Sequence, residues 1–454
     1  MTVSRDRSTR RPVGAPTASS ATASPSTNDG LRVSPQILVV PVLALSAALG
    51  LFQLGQPALW IDEAFTWHAT TTHGYVRLAD ELHWLYYTVM KPWVALAGTS
   101  EFALRVPSVV GAVVAVALLY GLVRMLFDTN VALVAALLLS VNPFVVKWSQ
   151  QARSYTILLA LAIATTWLLL RALEREKMMR FVAYGLVALT MVIWQFLAAL
   201  FLMPVHVLIA WRSRRALLWI SAVLLAGAPW VVQVLAKGDE GTRGPGTLTL
   251  AWVPTPGLDD LGDVSTSLPG ALGVGLVLAA LGAVRAGRHR TFLLLWAGVP
   301  CALSLVISVH QPVFIDRYLI VSCPAFAILG AVALVKGLGV VRFCAGVAAA
   351  TATVAALVVW YAPGGGDNWV GENWRAATVF VMREGGGARV NPLWARPAFI
   401  YYGGREADTG WVLDRNVGSI EGASLRAQFG KWLRLVHIRA PQARRHNDAV
   451  TSRG

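Results

Sequence analysis

The sequence predicts an all-α polytopic membrane protein with about eleven transmembrane helices. Of its 454 residues, 56% are hydrophobic and only 14% are charged, whereas soluble globular proteins carry about 25% charged residues. Apolar runs long enough to cross a bilayer recur along the chain. The formal net charge of +15 does not indicate a nucleic-acid partner, because many basic residues fall in short loops between apolar runs, where they orient helices in a bilayer.

Most of the predicted spans are single apolar runs of suitable length. They lie at 36–54, 107–127, 130–147, 154–172, 216–236, 268–284, 291–309, 318–335 and 343–361. The stretch 178–211 is bounded by basic clusters, and it is too short for two full-length helices with a loop but too long for one. If both clusters are cytoplasmic, the chain turns near Trp194-Gln195 and the stretch contributes two spans. A single long tilted helix is the alternative.

The charge distribution predicts the topology. Residues 1–34 are rich in Ser, Thr, Ala, Pro and Arg without apolar periodicity, which predicts a disordered cytoplasmic tail. The first apolar run lacks a small-residue cleavage site, so we interpret it as an uncleaved anchor. The positive-inside rule then predicts a transmembrane region at 35–361 in the cell (plasma) membrane. It also predicts a first outer loop at 55–106 and an extracytoplasmic C-terminal segment at 362–454.

The interiors of the predicted spans argue against an ion-coupled transporter. No span carries Asp, Glu, Lys or Arg near its centre, where such transporters usually keep an ionisable residue. We interpret His206 as a packed, neutral histidine. Cys301, Cys323 and Cys344 all fall inside predicted spans, so no disulfide framework is indicated. Any chemistry is therefore expected at the outer surface.

An acidic pair, Asp62 and Glu63, follows the first apolar run on the predicted outer side. Acidic residues are favoured in the first turn of a helix, so one interpretation is a plain helix start. The other is an active site, because carboxylates in clefts often carry catalytic chemistry. The two interpretations are compatible, since a residue that starts a helix can also face a cleft.

The first outer loop is long, and it predicts helices that lie in the membrane interface. Apolar and aromatic residues recur at helical spacing from Tyr75 to Tyr87, as is typical of interfacial helices. His83, within this stretch, is expected to approach Asp62 from a neighbouring helix. Arg105 lies on the predicted outer side, although the positive-inside rule favours arginines on the cytoplasmic side. It therefore needs a local anionic partner, and we predict a structural salt bridge between Glu101 and Arg105.

Two further outer elements place an arginine beside a tyrosine. Arg153 and Tyr155 lie at the start of the fourth span, and Arg317 and Tyr318 at the start of the tenth. A guanidinium group is a planar fork that matches a phosphate bidentately, although each arginine alone is also explained as a helix-end anchor. Together with Asp62, these elements predict a site with cations for a phosphate and a carboxylate for proton abstraction.

These residues together resemble the GT-C membrane glycosyltransferases of the protein O-mannosyltransferase and aminoarabinose-transferase type, broadly glycosyltransferase family 39. The resemblance runs from about residue 36 to 361. The family often has His-Pro-Pro followed by Leu-Tyr-Tyr in the first loop, whereas this chain has His83-Trp84-Leu85-Tyr86-Tyr87 without the prolines. The matching positions are Trp60, Asp62 to Ala64, Glu101 to Ser108, Gln151, Arg153, Tyr155, Phe314, Arg317, Tyr318 and Pro324.

The resemblance implies an inverting transfer of a sugar, mannose above all, from a polyprenyl-phosphate donor to an extracytoplasmic protein, lipid or polysaccharide. Asp62 would be the base that activates the acceptor hydroxyl, and Glu63 would orient or bind the acceptor. No cofactor is required by any spacing, although a divalent cation could bridge carboxylate and phosphate. Arg153, Arg317, Tyr155 and Tyr318 are the expected phosphate-binding residues, and His83, Tyr86 and Gln151 the expected substrate-binding residues.

Two other classes of protein compete with the transferase. A flippase or transporter of lipid-linked sugars explains the many spans, but it explains neither the outer clustering of Asp62, Arg153 and Arg317 nor the absence of charge within the spans. A membrane scaffold without activity would leave the acidic pair as a helix start.

The C-terminal segment is predicted to form a small α/β appendage. An amphipathic helix is expected at 372–383, and strands at Ala398–Tyr402 and Trp432–Ile438. The tail from Ala440 is predicted to be disordered.

Overall fold

The computed structural model describes residues 37–78, 83–237, 253, 255–362, 371–384, 386–391, 393–407, 409–415, 423–429 and 431–438. The predicted cytoplasmic tail and the predicted disordered tail from Ala440 lie outside the described residues.

Helices dominate the described chain, as predicted. Short 3-10 helices occur at Ile37–Val39, Ala271–Gly273, Gly287–His289, Asp316–Ser322 and Leu393–Ala395. The α-helices are α1 (Val40–Leu51), α2 (Ile61–Thr72), α3 (Tyr75–Leu78), α4 (Trp84–Ala97), α5 (Glu101–Leu126), α6 (Thr129–Ser140), α7 (Pro143–Ser149), α8 (Tyr155–Glu174), α9 (Met178–Trp194), α10 (Phe196–Ala210), α11 (Arg214–Lys237), α12 (Leu258–Ser267), α13 (Val274–Arg285), α14 (Arg290–Ser308), α15 (Cys323–Lys336), α16 (Gly339–Tyr361), α17 (Trp374–Glu384) and α18 (Arg396–Tyr401).

Within the described residues, six helices are long and apolar enough to cross a membrane. Two bent pairs, α6 with α7 and α12 with Ala271–Arg285, bring the number to eight if each pair is one span. Ile37–Leu51, α9 and α10 are shorter apolar helices. The multi-pass membrane fold is therefore confirmed, whereas the count of eleven spans stays a prediction. The six helices that are long enough to cross a membrane singly are Glu101–Leu126, Tyr155–Glu174, Arg214–Gln233, Gly287–Ser308, Asp316–Lys336 and Gly339–Tyr361.

The stretch 178–211 contains two helices rather than one. Helix α9 ends at Trp194, Gln195 adopts an extended backbone, and α10 begins at Phe196. Ser213 Oγ donates a hydrogen bond to Glu176 Oε1 at 3.0 Å, and Arg215 Nη1 donates to the Glu176 carbonyl at 2.8 Å. Because Glu176 precedes α9 and Ser213 follows α10, the two basic clusters lie at the same end. This contact excludes the single tilted helix.

Close helix packing forms the membrane core. Helix α5 packs on α6 and α8, and α13 packs on α15. A Cβ atom on Gly282 would lie 1.8 Å from the carbonyl oxygen of Leu329. Small residues allow helix backbones to approach this closely in membranes, so Gly282 sets the spacing of α13 and α15.

The predicted first outer loop, 55–106, contains α2, α3 and α4. The described part of the stretch with helical spacing, Tyr75–Tyr87, falls in α3 and the start of α4. Ser100 caps the following helix α5, because its Oγ accepts a hydrogen bond from the Ala103 amide at 3.2 Å. Helix α5 then continues without interruption through Pro107. The span predicted to begin at residue 107 is therefore part of a longer helix, which extends from Glu101 into the membrane region.

The C-terminal segment has the predicted mixture of helix and strand. A four-stranded sheet has the order β1-β2-β4-β3, with β1 (Arg389–Asn391) parallel to β2 (Trp411–Asp414). Strand β4 (Arg434–Ile438) is antiparallel to both β2 and β3 (Ala423–Gln428). The predicted strand at Ala398–Tyr402 is wrong, since these residues belong largely to α18. Proline suits a first helical turn, and Pro397 occupies that position.

Candidate active site

Helix α2 carries the acidic pair in its first turn. The N-cap residue is Trp60, and Asp62 and Glu63 follow Ile61. Successive helical residues point about 100° apart, so the two carboxylates face different surroundings. Asp62 is partly exposed, whereas Glu63 is 1% exposed. Their chemistry must therefore be considered separately.

Asp62 faces two arginines that are distant in sequence. Its Oδ2 lies 3.8 Å from Arg153 Nη2 and 4.0 Å from Arg317 Nη2. Arg153 Nη1 also donates a hydrogen bond to the backbone carbonyl of Asp62 at 3.1 Å. The arginine side chains are 6% and 14% exposed, and that of Asp62 is 20% exposed. The three predicted residues thus form one cluster, hereafter the Asp62 cluster.

The loop before α8 holds Arg153 in place. The amide of Ala152 donates to Glu63 Oε1 at 2.7 Å, and Thr66 Oγ1 donates to the carbonyl of Ala152 at 2.9 Å. Ser108 Oγ donates to the carbonyl of Arg153 at 2.9 Å. Helices α2 and α5 therefore fix the backbone on both sides of the Arg153 side chain.

Aromatic rings surround the two guanidinium groups. The Tyr155 and Tyr318 ring centroids are 6.2 Å apart. Arg317 lies 6.0 Å from the rings of Trp60 and Tyr155 and 5.9 Å from that of Tyr318, and Arg153 lies 5.8 Å from Tyr155. Such cation–π contacts suit arginine. The predicted Arg and Tyr elements thus meet in space.

Glu63 does not share the surroundings of Asp62, because it forms a buried ion pair with Arg105. Arg105 Nε and Nη2 donate to the two carboxylate oxygens of Glu63 at 2.7 Å each. The remaining donors of Arg105 bind the carbonyls of Leu54, Pro57 and Ala58. With these contacts Arg105 joins α5 to the α1–α2 connection and, through Glu63, to the first turn of α2. This placement supports a structural role in addition to the acceptor role expected from the sequence.

The predicted Glu101–Arg105 salt bridge is wrong. Glu101 instead accepts from Arg375 Nη2 at 2.7 Å and from the hydroxyl of Tyr402 at 3.2 Å. Residues four apart on a helix can pair, but the buried carboxylate of Glu63 offers Arg105 two short contacts. Glu101 therefore joins the C-terminal segment to α5.

The three predicted substrate-binding residues are all buried. His83 is 7%, Tyr86 1% and Gln151 3% exposed. Among the described residues, His83 Nδ1 and Gln151 Oε1 have no hydrogen-bond partner. Tyr86 packs against the rings of Tyr87 and Trp194. Their roles in substrate binding stay predictions.

The positive charge of the Asp62 cluster acts on its neighbours. Burial, and next to it the charges of Arg153 and Arg317, hold the pKa of His83 well below its usual value, so this imidazole is neutral at pH 7. Burial alone would lower the pKa of Arg153. Tyr155 and Asp62 outweigh it and hold that pKa well above the usual value, so the guanidinium stays charged.

Sequence reasoning missed Lys147 and Asp316, which extend the cluster. Lys147 Nζ lies 3.7 Å from Asp316 Oδ2, and Asp316 Oδ1 accepts from the Arg317 amide at 2.7 Å. Lys147 is buried at the end of α7, where it also lies over the Trp148 ring at 5.0 Å. The three cations and two carboxylates carry a formal charge of +1. The signal in the sequence was a lysine at the predicted outer end of the span 130–147, against the positive-inside bias.

No group of three or more His, Cys, Asp and Glu side chains suited to a metal ion occurs in the described part of the chain. A bridging divalent cation therefore stays a sequence-based expectation.

The fold is that of a multi-pass membrane protein, and parts of its sequence and structure resemble known glycosyltransferases. Residues 84–236, roughly a third of the chain, match the family model described as dolichyl-phosphate-mannose-protein mannosyltransferase. The matched range contains Arg153 but neither Asp62 nor Arg317. No curated protein matches the chain by sequence.

Solved structures show the same fold at low sequence identity. ArnT from Cupriavidus metallidurans bound to undecaprenyl phosphate is 14% identical, with a TM-score of 0.51, and the match covers 81% of this chain and 75% of ArnT. The apo state of that ArnT gives 15% identity and a TM-score of 0.54, covering 81% and 74%.

A second kind of protein shares this fold. The Archaeoglobus fulgidus oligosaccharyltransferase tethered to an acceptor peptide containing the NVT sequon is 14% identical, with a TM-score of 0.50, and the match covers 83% of this chain and 59% of that one. The resemblance to GT-C glycosyltransferases of the protein O-mannosyltransferase and aminoarabinose-transferase type is thus confirmed, by sequence over 84–236 and by fold over most of the chain.

Proposed function

We propose that this protein is an inverting glycosyltransferase that moves a sugar, mannose in the first place, from a polyprenyl-phosphate donor to an extracytoplasmic acceptor. The observation that carries the proposal is the Asp62 cluster, in which a partly exposed carboxylate faces the largely buried guanidinium groups of Arg153 and Arg317. The match to the mannosyltransferase family model adds support for the sugar. The proposed site faces the outer side of the plasma membrane, in keeping with the positive-inside rule.

Asp62 is the proposed general base. A hydroxyl group is a weak nucleophile and needs a base within hydrogen-bond reach. The acceptor oxygen forms a bond to the anomeric carbon of the sugar, while the bond from that carbon to the phosphate oxygen breaks. The hydroxyl proton passes to Asp62, and polyprenyl phosphate leaves. A single displacement of this kind inverts the anomeric configuration.

Arg153 and Arg317 are the proposed phosphate clamp. Their planar forks match phosphate oxygens, and the rings of Tyr155 and Tyr318 flank them. Fixed charges in a partly dry site stabilise a leaving group without reorganisation, commonly by about 3 kcal/mol for each donor. The formal charge of +1 on the extended cluster adds attraction for an anionic headgroup.

The donor lipid accounts for the architecture around the site. Arg153 stands just before α8, and Arg317 lies in the first turn of the apolar stretch Asp316–Lys336. A phosphate at the headgroup level would meet both side chains while its polyprenyl chain stays among apolar helices. The fold shared with ArnT, whose crystal structure contains undecaprenyl phosphate, supports a donor of this kind.

Transfer of radiolabelled mannose from polyprenyl-phosphate mannose, measured in membranes that contain the full chain, tests the proposal. Asp62→Asn should lower the rate by about 100-fold or more, as expected for loss of a general base. Asp259→Asn, on an exposed residue of α12, serves as the matched control and should retain the wild-type rate.

Wild-type transfer by a well-expressed Asp62→Asn variant would overturn the assignment of the base. Translocation of lipid-linked sugar by the wild-type protein, with no transfer to any acceptor, would overturn the transferase and favour a flippase.

A further inference from the structure

The C-terminal segment contacts the chain just before Asp62. The amide of Leu59 donates a hydrogen bond to the hydroxyl oxygen of Tyr402 at 2.7 Å, and the amide of Ile61 donates to Glu372 Oε2 at 3.3 Å. More than 300 residues separate the partners in sequence. The segment thus binds the beginning of α2 at two backbone amides.

Glu372 is itself held firmly. Its Oε2 also accepts from Trp374 Nε1 at 2.8 Å, and its Oε1 accepts from Arg415 Nε at 2.5 Å. The carboxylate is 1% exposed, and the ring of Trp374 beside it is fully buried. Burial raises the pKa of Glu372 while Arg415 opposes that shift. Such a carboxylate has little freedom to move away from α2.

A second set of contacts fixes the segment to the neighbouring loop. Arg375 donates to Glu101 Oε1 at 2.7 Å and to the carbonyl of Gln56 at 3.0 Å. The hydroxyl of Tyr401 donates to the carbonyl of Thr99 at 2.8 Å. The contacts of Arg375 and Tyr401 therefore fix the position of Glu372 together with its own hydrogen bond to Ile61.

The position of Glu372 matters because of the helix that it meets. The first amides of an α-helix lack partners inside the helix, and a negative charge there is stabilising. Trp60, the N-cap residue, supplies no acceptor side chain for them. Glu372 provides one from outside, at the residue directly before Asp62. A small displacement of a catalytic group can cost about 100-fold in rate.

We propose that Glu372 is a positioning residue, through which the C-terminal segment holds the start of α2 and so keeps Asp62 aligned with Arg153 and Arg317. This inference rests on the proposed transferase function for its kinetic consequence. It assigns the C-terminal segment a direct part in the transfer step.

Three variants of the full chain test this role. Glu372→Ala removes the acceptor, Glu372→Gln keeps an oxygen at the same place, and Asp414→Asn is the matched control. Asp414 is a buried carboxylate of the same segment, and it accepts hydrogen bonds from Arg434 and Asn391, which both belong to that segment. The measurements are kcat and donor KM for sugar transfer, and amide hydrogen exchange of the peptide covering 55–72.

Glu372→Ala should lower kcat by about tenfold or more while the donor KM changes less than about twofold, since the arginines remain in place. Exchange of the Ile61 amide, which loses its acceptor, should become about fivefold faster or more, as expected for loss of a cap. Glu372→Gln keeps one acceptor oxygen for the Ile61 amide but cannot also accept from Arg415, so its kcat and its Ile61 exchange rate should lie between those of Glu372→Ala and the wild-type protein. Asp414→Asn should change neither when rates are expressed per folded protein.

An unchanged kcat in folded Glu372→Ala would overturn the proposal, and so would an equal loss in Asp414→Asn, because the effect would then be general unfolding of the segment. If the wild-type protein transfers no sugar, the proposed function fails and hydrogen exchange alone decides. Faster amide hydrogen exchange at the start of α2 in Glu372→Ala then supports the proposal that Glu372 fixes this end of the helix, and unchanged exchange overturns it.

Discussion

Replacing Glu63 by glutamine should destabilise the protein far more than replacing its neighbour Asp62 by asparagine. Both substitutions keep the size of the side chain and remove one negative charge. Glu63 is 1% exposed and binds Arg105, itself 2% exposed, through two contacts of 2.7 Å. Asp62 is 20% exposed, and the guanidinium nitrogens of Arg153 and Arg317 lie 3.8 and 4.0 Å from it.

The size of the effect follows from burial. Removing one partner of a buried ion pair costs about 3–5 kcal/mol, because the other charge stays buried without compensation. With an unfolding entropy of about 2.1 cal/mol/K per residue, the melting temperature of this chain should fall by roughly 3–5 °C if it unfolds as one unit, and by more if a smaller part unfolds. Asp62→Asn breaks only longer, partly exposed contacts, so it should lower the melting temperature clearly less than Glu63→Gln does.

Thermal unfolding of the purified full chain in one detergent, followed by tryptophan fluorescence, measures this difference. Arg105→Gln should reproduce the loss seen for Glu63→Gln. The double variant, Glu63→Gln with Arg105→Gln, should lose less stability than the sum of the two single variants, because the two residues interact directly. A wild-type melting temperature for Glu63→Gln, or a larger loss for Asp62→Asn, would refute the reasoning.

Three further predictions concern the clamp, the buried histidine and the topology. Arg317→Gln should lower kcat/KM for transfer by about 100-fold. Arg317→Lys should recover only part of kcat/KM, because an ammonium group cannot bind a phosphate bidentately. Arg215→Gln, on an exposed ion pair, is the control, and an equal loss of kcat/KM in this variant would contradict the phosphate clamp. The melting temperature should fall as the pH drops below about 6.5, because the unfolded chain takes up a proton that the buried, neutral His83 resists. His83→Asn should show a shallower fall, and an unchanged slope would contradict this explanation. In a Cys344→Ser background, Leu425→Cys, at an exposed position, should react in intact cells with a membrane-impermeant maleimide, and protection would contradict an outer C-terminal segment.

Much of the membrane fold was predictable from the sequence, because apolar length is a strong signal. The turn near Gln195 was predictable as one of two alternatives, and the Glu176 contacts decide between them. The helix at Arg396–Tyr401 was not predicted, because a short apolar run fits helix and strand equally well. Local patterns thus located the long helices better than the small C-terminal elements.

The candidate site was predictable in part, for a different reason. The order of Asp62, Arg153 and Arg317 along the chain indicated one outer site, and the three side chains meet in the structure. The partner of Arg105 was missed because its choice between Glu63 and Glu101 depends on tertiary packing. Glu372 was missed because it follows a glycine-rich stretch and meets α2 only across the fold. Contacts over such separations leave no trace in local spacing.

A structure of the full chain with a bound polyprenyl phosphate is the most direct test of the proposed site. We predict phosphate density in contact with the guanidinium groups of Arg153 and Arg317, with the carboxylate of Asp62 facing it. Phosphate density elsewhere, for example beside Arg285 and Arg342 in the apolar cavity between α13, α15 and α16, would contradict the assignment.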